Sequence, residues 1–251
     1  MVHVDATTRN AIKLREQHLD AAFLSPIDYA RESSLYNIVP GIAVSSRGGN
    51  DAVVLHFREH LHSIKTLVVD PSSTSEIILA RILLAERFGV EPSIVPAIGP
   101  FESMLAKGDA ALLVGDTALG ASFSHPNKLD LIEEWADMSE LPYVHGFWWG
   151  REHDLSTEDI HVLQRSRDRG AEELEDISAE ATARSSSPVP LEALLSHLQT
   201  FGYEFTDEVR EALQEFLRYA YYFGVLPDVA DLQYYPAEGA TPSGADDFST
   251  N

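Results

Sequence analysis

Residues 65–88 read KTLVVDPSSTSEIILARILLAERF. Lys65 to Val69 is a β-branched run with the composition of a strand, and Asp70-Pro71-Ser72-Ser73-Thr74-Ser75 is a polar turn. From Glu76 to Phe88 the residues Ile77, Ile78, Leu79, Ile82 and Leu83 fall on the buried side of a predicted helix. Strand, polar turn and helix in that order make one half of a parallel βαβ unit.

The same grammar extends on both sides. Upstream, Thr8 to Leu19 has helical spacing, and Leu19 to Leu24 reads as a short strand closed by Ser25 and Pro26. Ile38 to Val44 and Ala52 to Phe57 are further apolar runs. Downstream, Ser93 to Ala97 and Ala110 to Val114 are predicted strands separated by a short helix at Phe101 to Ala106, and Tyr143 to Trp149 is an aromatic run. Beyond it only helices are predicted: Asp159 to Leu174, Leu191 to Thr200 and Asp207 to Phe223, with a Ser/Pro break over 185–190. The expected class is α/β: an open, largely parallel sheet structure with a helical C-terminal region.

Composition narrows the function. The 251 residues are 44% hydrophobic, enough for a buried core, and no apolar run approaches the roughly 20 residues of a bilayer span. The start, MVHVDATTRN, lacks the basic and apolar regions of a signal peptide, so a cytoplasmic location is expected. With no cysteine there is no disulfide, thiolate metal site or cysteine nucleophile. Forty acidic against eighteen basic residues leave a net charge of −22, which makes nucleic acid and anionic membranes poor partners. Two readings of the acidic, lysine-poor surface stand side by side, a high-salt cytoplasm and an ordinary acidic surface.

Ligands of open α/β sheets lie beyond the carboxyl ends of strands, and three polar elements follow strands here. Ser72 to Ser75 lies at a strand-to-helix junction, where free amides and the helix dipole favour an anion; the alternative is an N-cap, which needs one hydroxyl rather than four. Ser45-Ser46-Arg47-Gly48-Gly49 is a hydroxyl and cation turn that is equally well formed as a surface loop. Gly115-Asp116 offers an acid that either faces a ligand or caps a helix at Thr117 to Ala121. His56 and His60 are four apart without an HExxH pattern, so no metal site is expected. His145 reads as a packed histidine with a satisfied hydrogen bond. No GxGxxG with its acid, Walker loop or GxSxG elbow occurs.

LDAAFLSPIDYA (19–30), the serines after VPGIAV, VVDPSSTSEIILARILL (68–84), GDAALLVGDTAL (108–119) and LPYVHGFWWGR (141–151) occur in the order found in chorismate dehydratases of the futalosine route to menaquinone. The chain resembles that family from about Leu19 to Arg151, GDAALLVGDTAL being the most specific piece. The resemblance implies a two-lobed fold of the type II periplasmic-binding-protein kind. Lobe 1 is expected over 1–57 and 143–236, lobe 2 over 58–142, and a disordered tail over 237–251. It further implies loss of water from chorismate to give 3-[(1-carboxyvinyl)oxy]benzoate, with no metal or organic cofactor. The cleft residues it implies are Ser45, Ser46, Ser72, Thr74 and Ser75, bordered by Gly115 and Asp116. The family begins with a strand and a YLN loop; this chain starts at what reads as the second strand, Val2 to Val4. The first strand of lobe 1 is therefore expected to be missing, leaving unpaired edges.

Overall fold

The computed structural model describes residues 2, 4–5, 7–121, 125–184 and 189–236. The expected tail from residue 237, and residues 185–188 of the Ser/Pro break, lie outside the described residues. In chain order the elements are α1 (Thr7–Arg15), β1 (Ala21–Leu24), α2 (Pro26–Ala30), β2 (Tyr36–Ser46), β3 (Val53–Phe57), β4 (Thr66–Val69), α3 (Thr74–Phe88) and β5 (Ser93–Pro96). They continue with α4 (Phe101–Leu105), β6 (Ala110–Val114), α5 (Asp116–Ala121), β7 (Lys128–Asp130), α6 (Leu131–Ser139) and β8 (Tyr143–Arg151). The remainder is α7 (Thr157–Glu172), α8 (Leu174–Arg184), α9 (Leu191–Leu198), β9 (Phe201–Gly202) and α10 (Asp207–Tyr222).

Two sheets form. One has the order β1-β8-β2-β9 and the other β5-β4-β6-β3-β7. The chain passes from the first to the second between Ser46 and Val53, and returns between Ser139 and Tyr143. The second sheet contains the βαβ unit read from residues 65–88: β4 is parallel to both β5 and β6, and α3 crosses between. Gly89 ends α3 with φ +64°, the left-handed conformation that glycine adopts without a Cβ clash.

Four expectations need correction. The structure as a whole is not largely parallel: every pairing in the first sheet is antiparallel, as are those of β3 with β6 and β7. The run Ala52 to Phe57, allotted to lobe 1, supplies β3 of the second sheet, because Val53 to Phe57 pair along Val114 to Ala110. Val2 and Val4 lie in no strand and are 85% and 97% exposed. The predicted helix to Leu174 stops at Glu172, and α8 follows as a separate helix.

The core is continuous across the sheets. Leu24, Ile38 and Phe147 of the first belong to one cluster with Leu55, Leu67 and Leu83 of the second unit. Aromatic edges tie the junction together: Tyr29 packs on Phe147 at 5.4 Å, and Phe216 of α10 packs on Trp135 of α6 at 5.8 Å and on Tyr143 of β8 at 5.6 Å.

Candidate functional site

The first turns of α2 and α3 meet face to face. Ser25 caps α2 by accepting from the Asp28 amide at 3.4 Å, and its hydroxyl donates to Asp28 Oδ2 at 2.8 Å. Thr74 Oγ1 donates to Asp28 Oδ1 at 3.3 Å and lies 3.2 Å from Ser25 Oγ. The Ile27 amide donates to Ser75 Oγ at 3.0 Å, and Ser75 is fully buried.

None of the four hydroxyls at 72–75 caps α3 through its side chain. Ser73 occupies the N-cap position without a side-chain cap bond. Ser72 instead closes a local turn, its amide and hydroxyl both donating to Asp70 Oδ1 at 2.8 and 2.7 Å. The hydroxyls of Thr74 and Ser75 reach across to α2. Gly115 precedes α5 with φ +63°, no atom stands within 4 Å of the place a Cβ would take, and its amide donates to the Ala52 carbonyl at 2.8 Å. Asp116 is the first residue of α5 and exposed.

Ser45 and Ser46 end β2 and are both buried. They line a cavity of about 510 Å³ with Arg47, Arg167, Tyr203 and Thr206. Arg47 is paired with Glu208, and Arg167 with Asp168 and the Gly41 carbonyl. Ser72, Thr74, Ser75, Gly115 and Asp116 do not line this cavity. The structure therefore divides the seven residues into a cavity at the end of β2 and a group around the turns before α3 and α5.

Buried polar groups connect the two parts. Ser46 Oγ is 2.7 Å from Nε2 of His145, whose ring packs against Tyr143 at 5.0 Å and Phe201 at 5.2 Å. Burial, reinforced by His197, pushes the imidazole down to about 3, so His145 is neutral at pH 7. The Tyr143 hydroxyl is buried without a hydrogen-bond partner, and burial together with Glu76 pushes its ionisation well above the usual phenol range.

Glu76 was not singled out in the sequence. It sits in the first turn of α3 and is 8% exposed. Burial raises its carboxyl to about 7, opposed by a bond to its own amide and assisted by Asp28. The signal for it was there: Ser73-Thr74-Ser75-Glu76 spells a capping box, which makes the glutamate look like a surface residue. His56 is fully buried against Phe101 and His125, both ring nitrogens lack a partner, and burial pushes it down to about 4. Among the described residues, no group of three or more His, Cys, Asp or Glu is placed to hold a metal ion. No helix among them is long and apolar enough to cross a membrane.

Solved structures with this arrangement share the fold at low identity. Protein AF1704 from Archaeoglobus fulgidus matches with a TM-score of 0.69 and 21% identity over 90% of this chain and 86% of its own. The periplasmic aliphatic sulphonate binding protein SsuA from Escherichia coli matches with a TM-score of 0.63 and 14% identity, over 90% and 82%. The Candida albicans CA3427 gene product, described as exhibiting the generic periplasmic binding protein fold, matches with a TM-score of 0.60 and 11% identity, over 94% and 86%. The fold is thus of the periplasmic-binding-protein kind. A family model described as menaquinone biosynthesis matches residues 2–222, and the chain belongs to that family.

Proposed function

We propose that the protein is a chorismate dehydratase, a hydro-lyase of the cytoplasm that eliminates water from chorismate to give 3-[(1-carboxyvinyl)oxy]benzoate on the way to menaquinone. The observation that carries this reading is membership of the menaquinone-biosynthesis family over residues 2–222. The geometry supports it in kind. Thr74 and Ser75 begin a fifteen-residue helix whose dipole suits a carboxylate at its N-terminus, and the Gly115 turn leaves open space before α5. Elimination from chorismate is driven by aromatisation, so the protein's task is to hold the dianion in one pose and to move one proton.

Incubation with chorismate should produce an aromatic ether followed by its ultraviolet absorbance. Absence of turnover by correctly folded protein rejects the assignment. A non-catalytic intracellular receptor for a small carboxylate is the second reading, favoured by the Thr74 and Ser75 hydroxyls already having partners across the seam, the Asp28 carboxylate and the Ile27 amide, a latch that a bound anion would replace. Calorimetry separates the two: tight binding of chorismate without turnover identifies the receptor.

A further inference from the structure

We propose that the open edge of β1 is a dimerisation surface, to which residues 2–5 of a second copy of this chain add as a strand, residues 2–5 of the first copy adding to the second in return. β1 ends its sheet. Among the described residues, Ala21 to Leu24 pair with Gly150 to Phe147 of β8 and with no other strand, so the opposite edge carries backbone N–H and C=O groups without ladder partners. Alongside it lies a cavity of about 390 Å³ lined by Ala21 and Phe23 of β1, by Trp148 and Leu163, and by Val2 and Val4. The two valines share the cavity with β1 without pairing to it, so a gap separates them from the strand edge. A strand takes about 160 Å³ per residue, from a rise of about 3.3 Å, a strand spacing of about 4.8 Å and a sheet depth of about 10 Å, so the gap holds about two to three residues of one strand.

The chain itself supplies the strand that fits. Val2 and Val4 are β-branched and two residues apart, so in an extended segment they present one apolar face, yet in the single chain they lie in no strand and are 85% and 97% exposed. A two-fold axis between two such segments completes both copies at once. The strand order becomes β1, the second copy's segment, the first copy's segment, and β1 of the second copy. Each cavity is filled by the other copy's segment, and the two segments pair with each other at the axis. Both slots are then used, so association stops at two. Charge permits the contact at this place. Each copy carries −22, which opposes self-association over most of the surface. Among the described residues that line the cavity, only Asp5 is charged, and it is bonded to Lys13 Nζ at 3.0 Å.

Sedimentation equilibrium of the full chain between about 1 and 100 µM tests this, in about 0.5 M salt so that repulsion between the two acidic copies is screened. The wild type should distribute between monomer and dimer, and the double variant Val2→Asp, Val4→Asp should raise the dissociation constant about a hundredfold or more. Because both valines are exposed, its circular dichroism should match the wild type. Hydrogen exchange gives the second readout: the β1 amides that face away from β8 should slow as the wild-type concentration rises, and should not do so in the variant. If the variant does not fold, the concentration dependence of exchange in the wild type decides alone. A wild type that stays monomeric overturns the proposal. So does a dimer that survives the double substitution, or one that leaves the β1 amides unprotected.

Discussion

The Ile27 amide donates to the Ser75 hydroxyl at 3.0 Å, and this bond joins the first turn of a helix packed on one sheet to the first turn of a helix packed on the other. Both ends are buried. Hydroxyls thus latch the seam between the two sheets.

Ser75→Ala removes the acceptor and leaves the Ile27 amide buried without a partner. The expected loss is about 1–3 kcal/mol in urea unfolding, the usual cost of an orphaned buried donor. Thr74→Ala, whose hydroxyl is only part-buried, should cost less than about 1 kcal/mol. Equal and negligible losses in the two variants would show that the seam is open in solution.

Asp130 carries a different junction. Oδ1 accepts from the amides of Ile132 and Glu133 at 2.8 and 3.2 Å, capping α6, while Oδ2 accepts from the amides of Asn50 and Asp51 at 2.9 and 2.7 Å. One carboxylate thus holds the segment linking β2 to β3 and the start of α6 together. Asp130→Ala should destabilise by about 2–3 kcal/mol, the sum of a lost cap and two lost charge-assisted bonds discounted for exposure. Asp130→Asn, which keeps the acceptor geometry at one oxygen, should cost about half of that. Thermal unfolding of the three proteins measures the order, and an Ala variant as stable as the Asn variant contradicts it.

How much of this was legible in the sequence follows from what each signal reports. Residues 65–88 announced strand, turn and helix because β-branched runs and 3.6-residue spacing are local properties. The direction of the first sheet was not local: β2 and β8 meet across about a hundred residues, and an apolar run reads alike in parallel and antiparallel pairings. For the same reason Val53 to Phe57 carried no sign of which sheet it joins. Ser45, Ser46, Thr74 and Ser75 were visible as hydroxyl clusters, but which hydroxyl meets which partner depends on tertiary packing. Glu76 was hidden by a capping pattern that the fold does not use.

The buried imidazole of His56 gives a pH dependence of definite sign. Its folded value is depressed from 6.5 to about 4 by burial first, then by His125 and Lys128. Between those values the unfolded chain binds the proton and the folded one does not, so stability falls as pH falls through this window. His145 acts in the same direction, so the wild type alone does not isolate His56. His56→Leu should lose about 1–2 kcal/mol less than the wild type between pH 7 and pH 5 in urea unfolding. Parallel losses in the two proteins would show that His56 is protonated or solvated in the folded state.

The two parts of the candidate site make opposite demands on a ligand, and a pair of variants separates them. Thr74→Val replaces a hydroxyl by a methyl of similar volume at the seam, and Arg47→Ala empties one wall of the cavity of about 510 Å³ at the end of β2. Neither should disturb folding strongly, since the Thr74 hydroxyl makes only long contacts, to Asp28 and to Ser25, and the Arg47–Glu208 pair is solvent-exposed. A carboxylate held at the start of α3 loses a charge-assisted hydrogen bond in Thr74→Val, which corresponds to about a tenfold or greater rise in Kd. The same carboxylate is indifferent to Arg47 apart from a weak, salt-screened attraction. Calorimetric titration with chorismate should therefore give a weakened Thr74→Val and a near wild-type Arg47→Ala at moderate salt. The reverse pattern would move the ligand to the cavity lined by Ser45 and Ser46, whose wall carries Arg47, Arg167, Asp168 and Glu208 and where Ser46 bonds His145 behind it.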